Sequence, residues 1–398
     1  MISFADVVHQ LVSFDPNRAP DRLVLKLIDT PWFQRLRDIS QTANTRLVYM
    51  FSEHSRFGHS VGVAYLAISL MKSLREKFKE VAEFEEAVAA AAILHDIGHL
   101  APGSHTAFKT WFPGEEDIHE EISSKIIKED LSSITGDLTS TIQKILSEDP
   151  SLPPWTWQII SGGGWNVDRG NWCMVDSILA GVQYGEYNIP ALLDAMVITK
   201  SGELALKENR LDAMMHFAVS RHAMYRQIYQ HRVILAADTL NVALVKRLRD
   251  IDEYYSDDVM ERVLKTSSPK DLSLTDIFAM RESWWKFHVF KWATESRDQV
   301  VKDLASRILN RRLFKTVREV EKIESARKIL ESLGLPPQYY LFEIKTHDTG
   351  DTGHAMPVVY ENGEIKKLID ADPLYKALVS GSVLKEWLVM PQEAKERL

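Results

Sequence analysis

Leu94-His95-Asp96-Ile97-Gly98-His99 is the stretch on which the reading of this chain turns. It closes an alanine-rich run, Glu83 to His95, that contains neither Gly nor Pro and predicts a helix. Ala101-Pro102-Gly103 then breaks the chain, and His105 follows. Upstream, Arg56 and His59 in Arg56-Phe57-Gly58-His59-Ser60 are three apart, so a helix would place them on one face. Downstream lie His119-Glu120, after the acidic loop Glu115-Glu116-Asp117, and Val167-Asp168, which opens an apparent helix containing Asp176. Adjacent His and Asp at a helix end suggest a metal site, which a distant His and a distant Asp would complete. Imidazole with carboxylate suits Mn, Fe, Co, Ni or Zn, whereas all-oxygen sites suit Mg and Ca. Each segment alone has an ordinary explanation. The chain has 13 histidines, a His-Asp pair arises by chance, and Asp168 could simply cap a helix. Their order and context favour a shared site.

The bulk properties bound the answer. The 398 residues suffice for two domains or for one large domain with an appendage. Hydrophobic residues are 45% and charged residues 26%, ordinary for a globular protein with a real core. The net charge of −8 argues against stable nucleic-acid binding but leaves phosphate substrates open, because the local field decides those. The greasiest run, Ala87 to Leu94, is far too short for a membrane span. MISFADVVHQ carries no basic region followed by an apolar segment, and the single cysteine, Cys173, excludes an intramolecular disulfide framework. The expectation is a cytoplasmic protein with no membrane partner.

The chain reads as mostly α. Leu211 to Arg249 and Ser296 to Leu333 are long stretches without Gly or Pro, expected to be helical, and Asp250 to Lys270 reads as a loop. After Pro337 the character changes. Tyr339 to Ile344 and Pro357 to Tyr360 have strand composition, and Asn362-Gly363 signals a hairpin with Glu364 to Ile369 returning. A helical body over 1–335, with its core at about 20–250, and a small α+β C-terminal lobe over 336–398 follow. Gly and Pro also collect at Gly162-Gly163-Gly164 and at Thr349 to Gly353.

Asp29-Thr30-Pro31-Trp32-Phe33-Gln34-Arg35-Leu36-Arg37, then Arg56 to His59, then His95-Asp96-Ile97-Gly98-His99, resembles the HD-domain deoxynucleoside triphosphate triphosphohydrolases. The likeness is to the dGTPase-like branch that includes the SAM-and-HD-domain enzymes. It extends through Val167-Asp168 and Tyr229-Gln230-His231, and into the tail at Tyr339-Tyr340, Asn362-Gly363 and Leu388-Val389-Met390-Pro391. The resemblance implies an HD-domain helical body with His59, His95, Asp96 and Asp168 as metal ligands. It implies catalytic roles around the scissile phosphate for His99, His105, His119 and Glu120. Arg56, Arg169 and Arg221 match phosphate-contacting positions, Gln41 and Asp176 sugar-contacting ones, and Tyr229, with Trp172 nearby, a base-side one. Arg221 also reads as the exposed edge of a long helix. Asp29, Gln34 and Arg37 match positions that bind an activating guanine nucleotide at a subunit interface, which implies a homo-oligomer; the plain alternative is an Asp capping the helix at Thr30-Pro31.

Some positions depart from the family pattern. The loop from Leu100 to His105 is one residue longer, Phe108 replaces an acidic residue that usually follows that histidine, Asn171-Trp172 and Val175-Asp176 replace the usual pairs, and Thr42 replaces a leucine. These leave the metal ligands intact and bear on base and sugar selection. The expected activity is metal-dependent hydrolysis of (deoxy)nucleoside triphosphates to nucleoside and inorganic triphosphate, with an additional Mg on the triphosphate. The alternatives are another phosphoester hydrolase (nucleotidase, cyclic-nucleotide phosphodiesterase or nuclease) and a non-catalytic nucleotide-sensing module.

Overall fold

The alanine-rich run forms the helix Val81–Leu94, and it lies at the centre of the molecule. From Ala87 to Leu94 every residue is buried, so this half of the helix is apolar on all sides and has no solvent face, whereas Ala82 and Glu83 in its first turn are exposed. Its short side chains let the helices Ala19–Ile28 and Arg56–Arg75 pack closely against it. The computed structural model describes residues 1–251, 257–346, 356–380 and 384–398. Helices dominate them, as expected, and the sheets are small.

Local chemistry sets where the site residues emerge. The helix Arg56–Arg75 begins at Arg56, which puts Arg56 and His59 in its first turn. Asn166 caps the helix Val167–Leu179 by accepting from the Arg169 amide, so Asp168 stands in that helix's first turn and is not its cap. These two helices touch at Gly62, where a β-carbon would sit 2.3 Å from Nδ2 of Asn171. Past the central helix, Arg35 is fully buried and donates to the carbonyls of His99 (2.8 Å) and Met280 (3.1 Å), clamping the His-Asp loop. Gly98 lets this loop abut the start of the helix His119–Glu129, since a β-carbon there would lie 2.1 Å from the His119 carbonyl. Ser123 ties the same junction, accepting from the Gly98 amide and donating to the His95 carbonyl.

Several expectations are corrected. The breaker-free stretch from Leu211 is two helices, Leu211–Met224 and Arg232–Ile251, joined by a π-helical turn at Tyr225–Tyr229. Such turns are frequent at functional sites, and this one presents Tyr225 and Tyr229 to the ring of Trp172. The second stretch breaks after Gln299–Leu309, where Arg311 takes a positive φ of 54°, into the strand Lys315–Val317 and the helix Ile323–Ser332. Asp258–Lys265 is a helix capped by Asp257, inside the segment expected to be a loop; residues 252–256 of that segment, and the Thr349 to Gly353 cluster, lie outside the described residues.

Tyr339 and Tyr340 belong to the helical turn Pro337–Tyr340, with the strand starting later at Phe342–Thr346. The hairpin at Asn362-Gly363 is present, with Gly363 at φ 84° and Val359 opposite Ile365, although its return strand is only Ile365–Lys367. Strands the reading did not expect are the N-terminal hairpin Ile2–Asp6 with Gln10–Phe14 and the pair Met196–Ile198 with Leu204–Lys207. Leu204–Lys207 pairs in parallel with Pro357–Val359, and Lys385–Met390 lies between Lys315–Val317 and Phe342–Thr346. C-terminal strands therefore complete sheets begun in the body.

Candidate active site

His59, His95, Asp96 and Asp168 converge from three helix ends. Nε2 of His59 lies 3.0 Å from Asp168 Oδ1 and 3.4 Å from Asp96 Oδ2. Nε2 of His95 lies 3.4 Å from Asp96 Oδ2 and 3.5 Å from Asp168 Oδ1. Donors about 2.1 Å from one ion at tetrahedral angles are about 3.4 Å apart, so this spacing fits a shared cation. The rest of each ring is committed. Nδ1 of His59 pairs with Asn171 Oδ1 at 2.9 Å, and Nδ1 of His95 with the Ala92 carbonyl at 2.9 Å. These bonds leave Nε2 on each ring as the atom that could ligate a metal. Both Nε2 atoms are buried, face the two carboxylates and make no well-directed hydrogen bond among the described residues, an arrangement that suits a shared cation.

The electrostatics agree with that. Burial alone would push His95 down, but Asp96 and Asp168 hold it up at about 9. Burial would raise both carboxyls, yet Arg56 with His95 and His99 holds Asp96 well below the usual range, and His59 with His95 does the same for Asp168. The site thus offers two ionised carboxylates to a cation, and a cation must displace the His95 proton.

Around this centre is a cavity of about 710 Å³, lined by His95, Asp96 and Asp168. Gln41, Arg56, His105, His119, Glu120, Arg169, Trp172, Asp176, Arg221 and Tyr229 line the same cavity. Arg56 is 2% exposed, with one guanidinium nitrogen bonded to Asp96 and the other 3.1 Å from His105 Nε2. Asp176 is held from both sides, by His54 Nε2 at 2.7 Å and Tyr229 Oη at 2.5 Å. Gln41 is buried and its amide oxygen makes no hydrogen bond among the described residues, leaving an acceptor at the wall. Arg169 donates to the carbonyls of Gly162 and Gly164, and Arg221 lies over the Tyr225 ring at 4.7 Å.

His99 is fully buried and stands behind His119, the two rings stacked at 3.9 Å, away from the cavity lining. Asp29, Gln34 and Arg37 are outside the cavity altogether. Asp29 and Arg37 are exposed, Arg37 donates to Gln34 at 2.8 Å, and Thr30, not Asp29, caps the short helix Pro31–Arg35.

Three residues with evident work at the site were missed. Asn171 orients His59, Asp117 bridges His105 and His119, and His54 braces Asp176. Asn171 and Asp117 stood in segments already singled out, but their side chains act on partners the sequence does not place. A lone His54 carries no signal.

The HD-domain family model matches residues 56–172, which hold all four converging residues. The chain carries an HD domain. It is 27% identical to the Bacillus subtilis protein YwfO, itself uncharacterized, over 92% of this chain and 86% of that one. It is also 27% identical to the human deoxynucleoside triphosphate triphosphohydrolase SAMHD1, over 82% of this chain but only 57% of that protein. Among solved structures, a phosphohydrolase from Bacteroides thetaiotaomicron superposes with a TM-score of 0.84 over 98% of this chain and 99% of that one. At 22% identity that likeness speaks to the shared fold. No helix among the described residues is long and apolar enough to cross a membrane.

Proposed function

We propose that this HD-domain protein is a metal-dependent phosphohydrolase that splits (deoxy)nucleoside triphosphates into nucleoside and inorganic triphosphate. The carrying observation is the quartet of His59, His95, Asp96 and Asp168, with two buried Nε2 atoms facing two carboxylates, at a cavity of about 710 Å³ beside Arg56. A cavity of this size accommodates a nucleotide. The donor set suits a single Mn, Fe, Co, Ni or Zn, and an additional Mg would ride on the triphosphate oxygens. When bound, the transition-metal ion polarises a phosphoryl oxygen and acidifies a water.

The chain's own residues do the rest. Asn171 and the Ala92 carbonyl fix the ligand rings. Arg56, held by Asp96 and His105, sets a permanent positive charge where the phosphoryl oxygens gain negative charge. Gln41 and Asp176 supply acceptors for sugar hydroxyls, with Trp172 and Tyr229 forming an aromatic wall for the base. Arg169 and Arg221 flank the polyphosphate path, and Glu120 with His119 and His105 lines the phosphate side.

One observation favours a second reading. The Arg169 guanidinium donates to loop carbonyls and that of Arg221 lies on Tyr225, so part of this positive charge is engaged inside the protein. A monophosphate or phosphodiester would need less of it. The deciding experiment incubates metal-loaded protein with all dNTPs and NTPs, nucleoside monophosphates and a cyclic nucleotide, identifying every product. Nucleoside plus intact triphosphate supports the first reading. Orthophosphate as the sole inorganic product, or turnover of monoesters or cyclic diesters alone, overturns it in favour of the second.

The regulatory reading rests on Asp29, Gln34 and Arg37. The exposure of Asp29 and Arg37, with Gln34 half-buried beside them, suits a nucleotide shared with a neighbouring copy of the chain in a homo-oligomer. dGTP or GTP should then shift the sedimentation profile and raise turnover of another nucleotide. Unchanged profiles and rates across the panel would reduce the three to surface residues.

A further inference from the structure

We propose that Asp117 is the positioning residue that makes His119 the proton donor of this site and leaves His105 as the brace of Arg56. The assignment rests on the phosphoester-hydrolysis reading above. Asp117 lies between the helices Ala107–Trp111 and His119–Glu129. Its Oδ1 accepts from His119 Nδ1 at 2.8 Å and from the His119 amide at 3.1 Å, and its Oδ2 is 3.3 Å from His105 Nδ1. One ionised carboxylate, which can only accept, therefore fixes the proton on Nδ1 of two rings and turns both Nε2 atoms away from itself.

The two Nε2 atoms meet different surroundings. That of His105 lies 3.1 Å from Nη2 of Arg56. A guanidinium only donates, so His105 Nε2 is an acceptor there and its ring is neutral. His105 thereby aims Arg56. The Nε2 of His119 makes no hydrogen bond among the described residues, and its ring lines the cavity beside Asp96. Of the two rings on Asp117, only His119 has an edge nitrogen open toward the cavity.

The stack of His119 on His99, at 3.9 Å and 15°, also argues against a second ion held by Asp96, His99 and His119. A ligated ion lies in the plane of each imidazole, and two nearly parallel planes cannot share it without strain. Asp117 fills a role that the chain leaves open elsewhere. Phe108, where the resemblance leads one to expect an acid after His105, is fully buried in the core, and the carboxylate that meets the histidines comes instead from Asp117, further along the chain.

Water adds to the phosphorus while the bond from phosphorus to the nucleoside oxygen breaks. The electron pair goes to that oxygen, and His119 Nε2–H protonates it, so the nucleoside leaves as an alcohol. The proton lost by the water passes to solvent, from which His119 is reprotonated. The Asp117 carboxylate behind Nδ1 stabilises the imidazolium that donates.

The test uses the leaving group. In full-length, metal-loaded protein, Asp117→Asn keeps the shape and removes the charge. With a nucleotide whose leaving group is the nucleoside alkoxide, kcat should fall roughly 10²-fold or more with KM little changed, and Asp117→Glu should recover most of it. With a p-nitrophenyl ester of a nucleoside 5′-phosphate, whose phenolate departs unprotonated, the loss should stay within about fivefold. His119→Gln should show the same split. Equal losses on both substrates, or a split for His105→Gln and none for His119→Gln, overturn the assignment.

A measurement independent of turnover is nitrogen-15 NMR of the imidazoles. Neutral His105 and His119 should both carry the proton on Nδ1, and an Nε2–H tautomer at His119 refutes the geometry. A wild-type protein that hydrolyses neither substrate overturns the hydrolase reading itself, whatever the tautomers show.

Discussion

Asn171→Ala is the substitution that most directly asks whether the converging residues form a metal centre. Asn171 is fully buried and its Oδ1 takes the Nδ1 proton of His59 at 2.9 Å. Its Nδ2 makes no hydrogen bond among the described residues, so its side-chain polar work passes through His59. Truncation frees the ring to rotate and leaves a buried N–H unpaired. Loss of such an outer partner typically costs 10- to 100-fold in metal affinity, about 1.4–2.7 kcal/mol. The unpaired donor costs the metal-free protein a further ~1–3 kcal/mol of stability. Asn171→Asp is the informative companion. It keeps the acceptor and adds charge that makes the imidazole more basic, so it should hold the ion at least as tightly as wild type at neutral pH. Affinity is measured by chelator competition with elemental analysis, and stability by urea unfolding of stripped protein. A double-mutant cycle with His59→Ala separates orientation from packing, because the affinity effect of Asn171→Ala should vanish on that background. Wild-type metal affinity in Asn171→Ala would refute the reasoning, since His59 would then need no orienting partner to act as a ligand.

The other predictions use different handles. Asp96→Ala removes a charged donor and uncovers Arg56 among the histidines, so stoichiometric metal and turnover should be lost together; a variant retaining both by elemental analysis and rate would sink the ligand assignment. Arg221→Ala should impair triphosphate substrates far more than monoesters in kcat/KM, and equal losses would make it a structural partner of Tyr225. Burial raises Asp238, on the cavity wall and bonded to Asn44, to about 7. That exceeds the unfolded value of about 3.9, so the stability tied to its proton is full below about pH 4 and lost as pH climbs through about 7. Urea midpoints across that window should decline in wild type and flatten in Asp238→Asn; parallel slopes would show that Asp238 does not set the pH response.

What could be read from the chain followed from how local each signal is. Arg56 and His59 share a helical turn, His95 and Asp96 are adjacent, and Asp168 follows a glycine-rich break. Short-range chemistry therefore singled out these candidate residues, and periodicity announced the helices that carry them. Asn171 and His59 are 112 positions apart, so neither side chain hints at the other until two helices meet at Gly62. Strands suffer the same blindness. Leu204–Lys207 is four residues long and gains a parallel neighbour only at Pro357–Val359, and a strand without its ladder has no local period long enough to detect. The missed breaks have a related cause. Nothing between Leu211 and Arg249 forbids a continuous helix, and the π-helical turn at Tyr225–Tyr229 is explained by what those rings meet, Trp172 and Asp176 across the cavity. The interruption is thus a property of the site acting on the helix, which is why propensity could not foresee it and why such an irregularity points toward function.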